Sequence, residues 1–282
     1  MRQRPLGNQP LSLHTDGRLS LFTIGCGAAF SQHLGNNNWL VLKGETSLLI
    51  DCCPKTPWRL STCQVDPTGI GHFLITHSHA DHIGGLEEVM LRARYITHKL
   101  PTLIIEAEYQ DKLWHESLRG GCAYNEIVKG RFLELEDFWQ ILQPTPRHDL
   151  PRNAAELDIG TLNIKLLRTN HFPEQARDWR EAAYSVGILL DERVFFSGDT
   201  RFDPELLTEL DRLFSLEAIF HDAQGCAGGL HASINELSLL DEELRSRIWL
   251  MHYGDDYQNY KAMVERAGFA GFTPEFSYLD FE

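Results

Sequence analysis

THSHADHIGGLEE, residues 76–88, decides how this chain is read. Within six positions it sets out His77, His79, Asp81 and His82, directly after the apolar run GHFLIT (71–76). That run reads as a short buried strand. Alternate residues on extended backbone project to one side, so His77 and His79 reach one point. Asp81 and His82, where the chain begins to curl, reach a second point close by. Gly84-Gly85 is expected to let the loop turn tightly before a helix that carries Leu86, Val89, Met90 and Ala93 on one face. Neutral imidazole and carboxylate are preferred ligands of zinc and related divalent ions, and two such ions about 3.5–4 Å apart form a hydrolytic two-metal arrangement. A solvated loop that happens to be rich in histidine is the plain alternative. Four such side chains packed between a strand and a Gly-Gly turn argue against it.

Four residues cannot complete two metal sites, so further ligands are expected downstream. His171 closes LNIKLLRTNH, Asp199 follows RVFFSG, and His252 closes RIWLMH. Each stands at the end of a predicted strand, where it can converge with the others on one edge of a sheet. The remaining strand-like runs are LSLFTI (19–24), NWLVLKG (38–44), TSLLIDCC (46–53), YSVGILL (184–190) and AIFHD (218–222). Helices are expected over 107–118, closed by Gly120-Gly121; over 203–214, opened by Asp203-Pro204; over 233–246; and over 257–267, stopped by Gly268. Strands followed by helices, twice over, predict two mixed sheets packed face to face with helices outside, a four-layer α/β arrangement. No repeat or Gly/Ser linker interrupts it, so one domain is expected over 1–282, with residues 1–17 as a loose polar arm.

Composition narrows the function classes. Lys+Arg number 26 against Asp+Glu 40 in 282 residues, a formal charge of −14. That balance excludes a protein whose affinity comes from blanketing a nucleic-acid backbone, but not one that holds a small anionic substrate through metal ions. No apolar run approaches the roughly 20 residues that span a bilayer, and the N-terminus lacks a signal-peptide core, so a cytoplasmic location without membrane contact is expected. Cys26, Cys52, Cys53, Cys63, Cys122 and Cys226 form no C-x-x-C pair and read as reduced, mostly buried thiols.

Taken together, the H-x-H-x-D-H run, His171, S-G-D-T and the last strand-end histidine resemble the metallo-β-lactamase superfamily of dinuclear metallohydrolases. The likeness runs from LFTIGCGAAFS to LMHYGD. It implies the αββα sandwich. It also implies that His77, His79 and His171 hold one ion, that Asp81, His82 and His252 hold the other, and that Asp199 bridges them. Ligand type makes zinc the default ion, with manganese, iron or cobalt also suited.

Two further stretches point to a branch of that superfamily. AIFHDAQ (218–224) and GLHASINEL (229–237) resemble degenerate forms of the H-E-A-T and H-S-T elements of tRNase Z-like phosphodiesterases, with Asp222 in place of Glu. This implies that His231 donates a proton to a departing alkoxide or holds a phosphoryl oxygen, that Asp222 orients it, and that Asp81 aligns the attacking water. His221 is left facing either the site or the core. IGCGAAFS and GNNNW resemble the glycine-rich opening and Asn-containing loop of the same branch, with Gly25 and Gly27 serving backbone packing.

The tRNA-processing members carry a basic arm, whereas the matching interval here, 101–165, is acidic. A tRNA partner is therefore not expected. The reading is a dinuclear phosphodiesterase acting on a small nucleotide-like phosphodiester, most specifically a 3′,5′-cyclic nucleotide. The branch includes bacterial cyclic-nucleotide phosphodiesterases and phage-related enzymes that degrade cyclic pyrimidine signals in anti-Pycsar defence evasion. Trp39, Tyr124, Phe172 and Trp179 are candidates for contact with the base, and the resemblance implies a homodimer. Competing readings are a tRNase Z-type endoribonuclease or another hydrolase on the same metals, and a non-catalytic metal-binding or sensing module.

Overall fold

Continuous apolar runs become the inner strands of two sheets. Val186–Leu190 and Ala218–Asp222 are buried at every position, the pattern of strands covered on both faces. The computed structural model describes residues 1–225 and 228–282, so Cys226 lies outside the described residues. Cys26, Cys52, Cys53, Cys63 and Cys122 are buried thiols. The chain divides into two compact units. We call them the His77 unit (3–24, 38–144 and 276–282) and the His171 unit (1–2, 25–37 and 145–275).

The His77 unit is built on an eight-stranded mixed sheet. Asn38–Lys43 pairs antiparallel with Thr46–Ile50 around Gly44, whose φ of +57° the tight turn requires. Thr46–Ile50, His72–Leu74, Thr102–Ile104 and Gln140–Leu142 then run parallel. Because Thr46–Ile50 and His72–Leu74 point the same way, Asp51 and His77 emerge from one edge of the sheet.

The N-terminal segment is tied down where a loose arm was expected. Arg2–Pro5 is the sheet's outermost strand beside Ser277–Asp280, Arg4 pairs with Asp280 at 2.7 Å, and Leu11 is buried. An edge strand held by backbone bonds and an ion pair leaves no apolar alternation in the sequence.

The Gly-Gly signals also differ from expectation. Gly84 and Gly85 keep ordinary right-handed backbone, so they do not serve a tight turn; a Cβ at Gly85 would run into the Cys53 carbonyl oxygen. The helix from Ala107 does not stop at Gly120-Gly121. It passes from Ala107–Lys112 through a wider turn, Leu113–Leu118, into Arg119–Cys122. A Cβ at Gly121 would strike the Glu87 carboxylate, so that glycine serves close approach.

In the His171 unit the strands Thr145–Arg147, Ala154–Ile159, Leu162–Arg168, Val186–Leu190 and Val194–Phe196 pair antiparallel in turn. Val194–Phe196, Ala218–Asp222, Ile248–Met251 and Gly271–Phe272 continue in parallel. Leu162–Arg168 and Val194–Phe196 are both antiparallel to Val186–Leu190, so they share one direction. Four strands therefore end on one edge, the edge from which His171, Asp199, Asp222 and His252 emerge.

Helix Pro204–Phe214 packs Leu206, Leu207 and Leu210 into this unit's core with Leu189, Phe195 and Ile219. Asp203 caps it by accepting from Leu206 N at 3.1 Å. The stretch expected as one helix over 233–246 is two, Ile234–Leu237 and Glu242–Arg245; Ser233 and Glu236 form a capping box for the first. The break falls where Leu239, 79% exposed, has no apolar face to join.

Candidate metal centre

Each unit gathers one cluster of the predicted residues, and each cluster hangs on strand ends that bend through unusual backbone. Asp51 (φ +60°), Gly198 (φ +59°) and His252 (φ +54°) are all left-handed. Glycine takes that conformation freely, and Asp and His are among the few others that tolerate it. The turn stops the strand and re-aims the next side chain out of the pleat.

In the His77 unit, buried Asp51 is the organiser. It accepts from Thr76 N at 2.8 Å, from Thr76 Oγ1 at 2.9 Å and from His82 Nδ1 at 2.7 Å. Burial pushes its carboxyl up against these partners. The single hydroxyl hydrogen of Thr76 goes to Asp51, so Thr76 Oγ1, 3.1 Å from His77 Nδ1, accepts from that ring. The Nε2 atoms of His77 and His82 are left as the nitrogens that could hold a metal ion. His77 Nε2 lies 3.0 Å from His79 Nδ1, and His82 Nε2 lies 3.3 Å from Asp81 Oδ2. The four residues of the 76–88 stretch thus come together as their spacing predicted. Ser78, between the two histidines, hydrogen-bonds the buried Tyr109 hydroxyl at 2.7 Å.

In the His171 unit, Asp199 lies at the centre. Its Oδ2 is 3.3 Å from His252 Nε2, 3.9 Å from His231 Nδ1 and 4.0 Å from His171 Nε2. His171 Nδ1 donates to the Leu230 carbonyl at 3.0 Å, which fixes the tautomer and turns Nε2 toward Asp199. Burial pushes this imidazole down to about 4, so it is neutral at neutral pH. His231 Nδ1 donates to Asp222 Oδ2 at 2.8 Å. Burial pushes the Asp222 carboxyl up, but the hydrogen bonds and charge of His221 and His231 outweigh it and hold the group below the usual range. His221, left open by the sequence, is buried, with Nδ1 donating to the Asp222 carbonyl at 2.8 Å. Asp199, Asp222, His231 and His252 offer ligand atoms all within 4.8 Å of one another.

The donor set suits a first-row divalent cation. Three imidazoles (His77, His82 and His171) commit Nδ1 to an oxygen and leave Nε2 with its lone pair, the usual condition of a metal-binding histidine. Asp51, Thr76 and the Leu230 carbonyl were not foreseen. Asp51 ends a strand exactly as an ordinary turn residue would, and a backbone carbonyl leaves no mark in a sequence.

Residues 19–278 match the family model described as anti-Pycsar protein Apyc1. The chain belongs to the anti-Pycsar protein Apyc1 family. It is 36% identical over 239 residues to the anti-Pycsar protein Apyc1 of Paenibacillus harenae, covering 84% of this chain and 91% of the relative. It is 35% identical over 253 residues to that of Bacillus phage BSP38, covering 88% and 93%. Among solved structures, a diphosphatase of the PhnP family superposes with a TM-score of 0.69 at 16% identity, covering 94% of this chain and 98% of the other. The metallo-β-lactamase fold protein YhfI from Bacillus subtilis gives 0.64 at 15%, covering 94% and 100%. Human tRNase Z, short form, gives 0.63 at 18%, covering 92% and 98%. This Apyc1-family chain therefore has the metallo-β-lactamase fold expected from its motifs.

The aromatic candidates of this Apyc1-family chain sort by burial. Trp39 is fully buried in a strand covered on both faces, which removes it as a base contact. Trp179 has the guanidinium carbons of Arg152 and Arg180 at 5.7 and 4.6 Å from its ring centroid. Tyr124 is 79% exposed, and Phe172, directly after His171, is 46% exposed. A Cβ at Gly25 would run into the Asn36 carbonyl oxygen, the backbone-packing role expected of it. No helix among the described residues is long and apolar enough to cross a membrane.

Proposed function

We propose that this chain is a two-metal phosphodiesterase that opens a small phosphodiester, most specifically a 3′,5′-cyclic nucleotide. The observation that carries the reading is the His231–Asp222 pair beside Asp199 and His252, in a member of a family named for opposing a Pycsar system. In this reading His77, His79 and His171 hold one ion, Asp81, His82 and His252 the other, and Asp199 both, with zinc as the default. Divalent ions held there would supply an acidified water and offset charge on the phosphoryl oxygens.

The chain's own residues do the rest. Asp81 aligns the attacking water. Asp222 stays ionised, accepts the Nδ1 hydrogen of His231 and thereby points Nε2 outward. The proton on Nε2 passes to the ribose oxygen as the P–O bond breaks, leaving a linear nucleotide monophosphate. Turnover of cyclic mononucleotides, cyclic dinucleotides and pre-tRNA by the purified zinc-loaded protein tests this. Cyclic mononucleotides are expected to be the preferred substrates; cleavage of pre-tRNA alone, or turnover of none, overturns the reading.

Asp51 supplies a second expectation. Asp51→Asn keeps the shape but sets an amide hydrogen against Thr76 or His82, so His82 loses its fixed tautomer. Zinc affinity, read by chelator competition, is expected to fall roughly 10- to 100-fold.

A further inference from the structure

The segment that follows His171 is held at its end by Arg168, which donates to the Ala182 and Ala183 carbonyls, and at its start by Arg201. Arg201, two residues beyond Asp199, donates from Nη1 to the Glu174 carbonyl at 2.8 Å and from Nη2 to Asn170 Oδ1 at 2.6 Å. The same Nη2 also donates to the Ala176 carbonyl. Arg201 N donates to the Asn170 carbonyl at 2.8 Å, and Asn170 N to Thr200 Oγ1 at 3.3 Å. Thr200 in turn donates from N to Asp222 Oδ2 at 3.2 Å and accepts from Ala232 N at 3.0 Å. The dipeptide Thr200-Arg201 therefore touches the neighbours of His171 and His231 and the partner of His231, while following directly on Asp199.

The chain from Phe172 to Ala183 returns on itself, with Ala183 N donating to the Phe172 carbonyl at 2.6 Å. It is an exposed loop carrying Arg177 and Arg180. All three acceptors of the Arg201 guanidinium are neutral oxygens, two of them backbone carbonyls inside this loop. A planar fork reaches three acceptors from a single position, which the point charge of a lysine cannot do.

We propose that Arg201 is a positioning residue: its guanidinium staples Asn170–Ala176 to the Asp199 strand end and so fixes His171 in the cluster and Phe172 at its rim. The inference rests on the reading of His171 as a metal ligand. Neither the sequence motifs nor the family match assigns Arg201 a part.

The test uses the full chain with Arg201→Lys, Arg201→Ala and Asn170→Ala, and two readouts: zinc affinity by chelator competition, and the rate of tryptic cleavage at Arg177 and Arg180 by mass spectrometry. Wild type is expected to bind zinc and resist cleavage. Arg201→Lys, which keeps the charge and loses the fork, is expected to bind zinc roughly tenfold or more weakly and to be cut about tenfold faster as the loop opens. Asn170→Ala, which leaves the backbone bonds in place, moves both readouts the same way by less and serves if the Arg201 variants do not fold. Arg201→Lys indistinguishable from wild type overturns the proposal, as does faster cleavage with unchanged zinc affinity. Wild type that binds no zinc overturns the metal reading itself, and the positioning role with it.

Discussion

Replacing Asp199 with alanine is expected to leave a folded protein that holds at most one of two metal ions and has lost roughly a thousandfold or more in turnover. Asp199 is buried and faces His171, His231 and His252 at 3.3–4.0 Å. In the proposed assignment it is the one carboxylate common to both ions, so its loss removes a ligand from each. The several kcal/mol of charge stabilisation that a metal pair supplies then falls away, and each 1.36 kcal/mol is a factor of ten in rate. The fold should survive, because the core of Leu189, Phe195, Leu206 and Ile219 does not depend on this side chain. Inductively coupled plasma mass spectrometry on Asp199→Ala and on His79→Ala, beside circular dichroism, checks both halves. Two ions still bound in both variants would falsify the ligand assignment. Thermal scans add an independent reading: added zinc raises the midpoint of a protein that binds it in the native state, and that increment should shrink in each variant.

The candidate ligand positions were legible because residues able to hold a metal leave a local trace. His77, His79, Asp81 and His82 had to be close in sequence to share a loop, and His171, Asp199 and His252 had to interrupt apolar runs where strands end. The groups that aim them were not legible. Asp51 reaches His82 across 31 residues, and the Leu230 carbonyl reaches His171 across 59. Only the fold brings either pair together, and neither acceptor is a residue type that stands out. Asp222 was found only because its neighbour His221 and the later His231 resemble paired motifs.

The same division holds for the fold. Buried inner strands such as Ala218–Asp222 are read from apolarity, whereas Arg2–Pro5, exposed throughout, is a strand only through its pairing. Gly121 shows the limit of local signals in the other direction. A glycine near an expected helix end has two physical uses, stopping the helix or admitting a neighbour, and here the neighbour Glu87 decides.

For His231→Ala the expected result depends on the leaving group. With a cyclic nucleotide the departing ribose alkoxide is strongly basic and must be protonated, so kcat should fall roughly 10²- to 10⁴-fold with little change in KM. With bis(p-nitrophenyl) phosphate the departing phenolate is weakly basic and leaves unprotonated, so turnover should stay near that of wild type. Asp222→Asn should follow the same pattern, because an amide in place of the carboxylate no longer secures the Nδ1 hydrogen across the 2.8 Å contact. The comparison separates a proton donor from a third possibility that the geometry raises. His231 belongs to the group of Asp199, Asp222 and His252 whose ligand atoms lie within 4.8 Å. Were it a metal ligand instead, its loss would lower metal content and depress both substrates alike. Equal losses on the two substrates with depleted metal would therefore move His231 from acid to ligand. Equal losses with full metal loading would make it a residue that binds the phosphoryl group in both. Only the selective loss on the basic leaving group, with two ions retained, identifies Nε2 as the source of the proton.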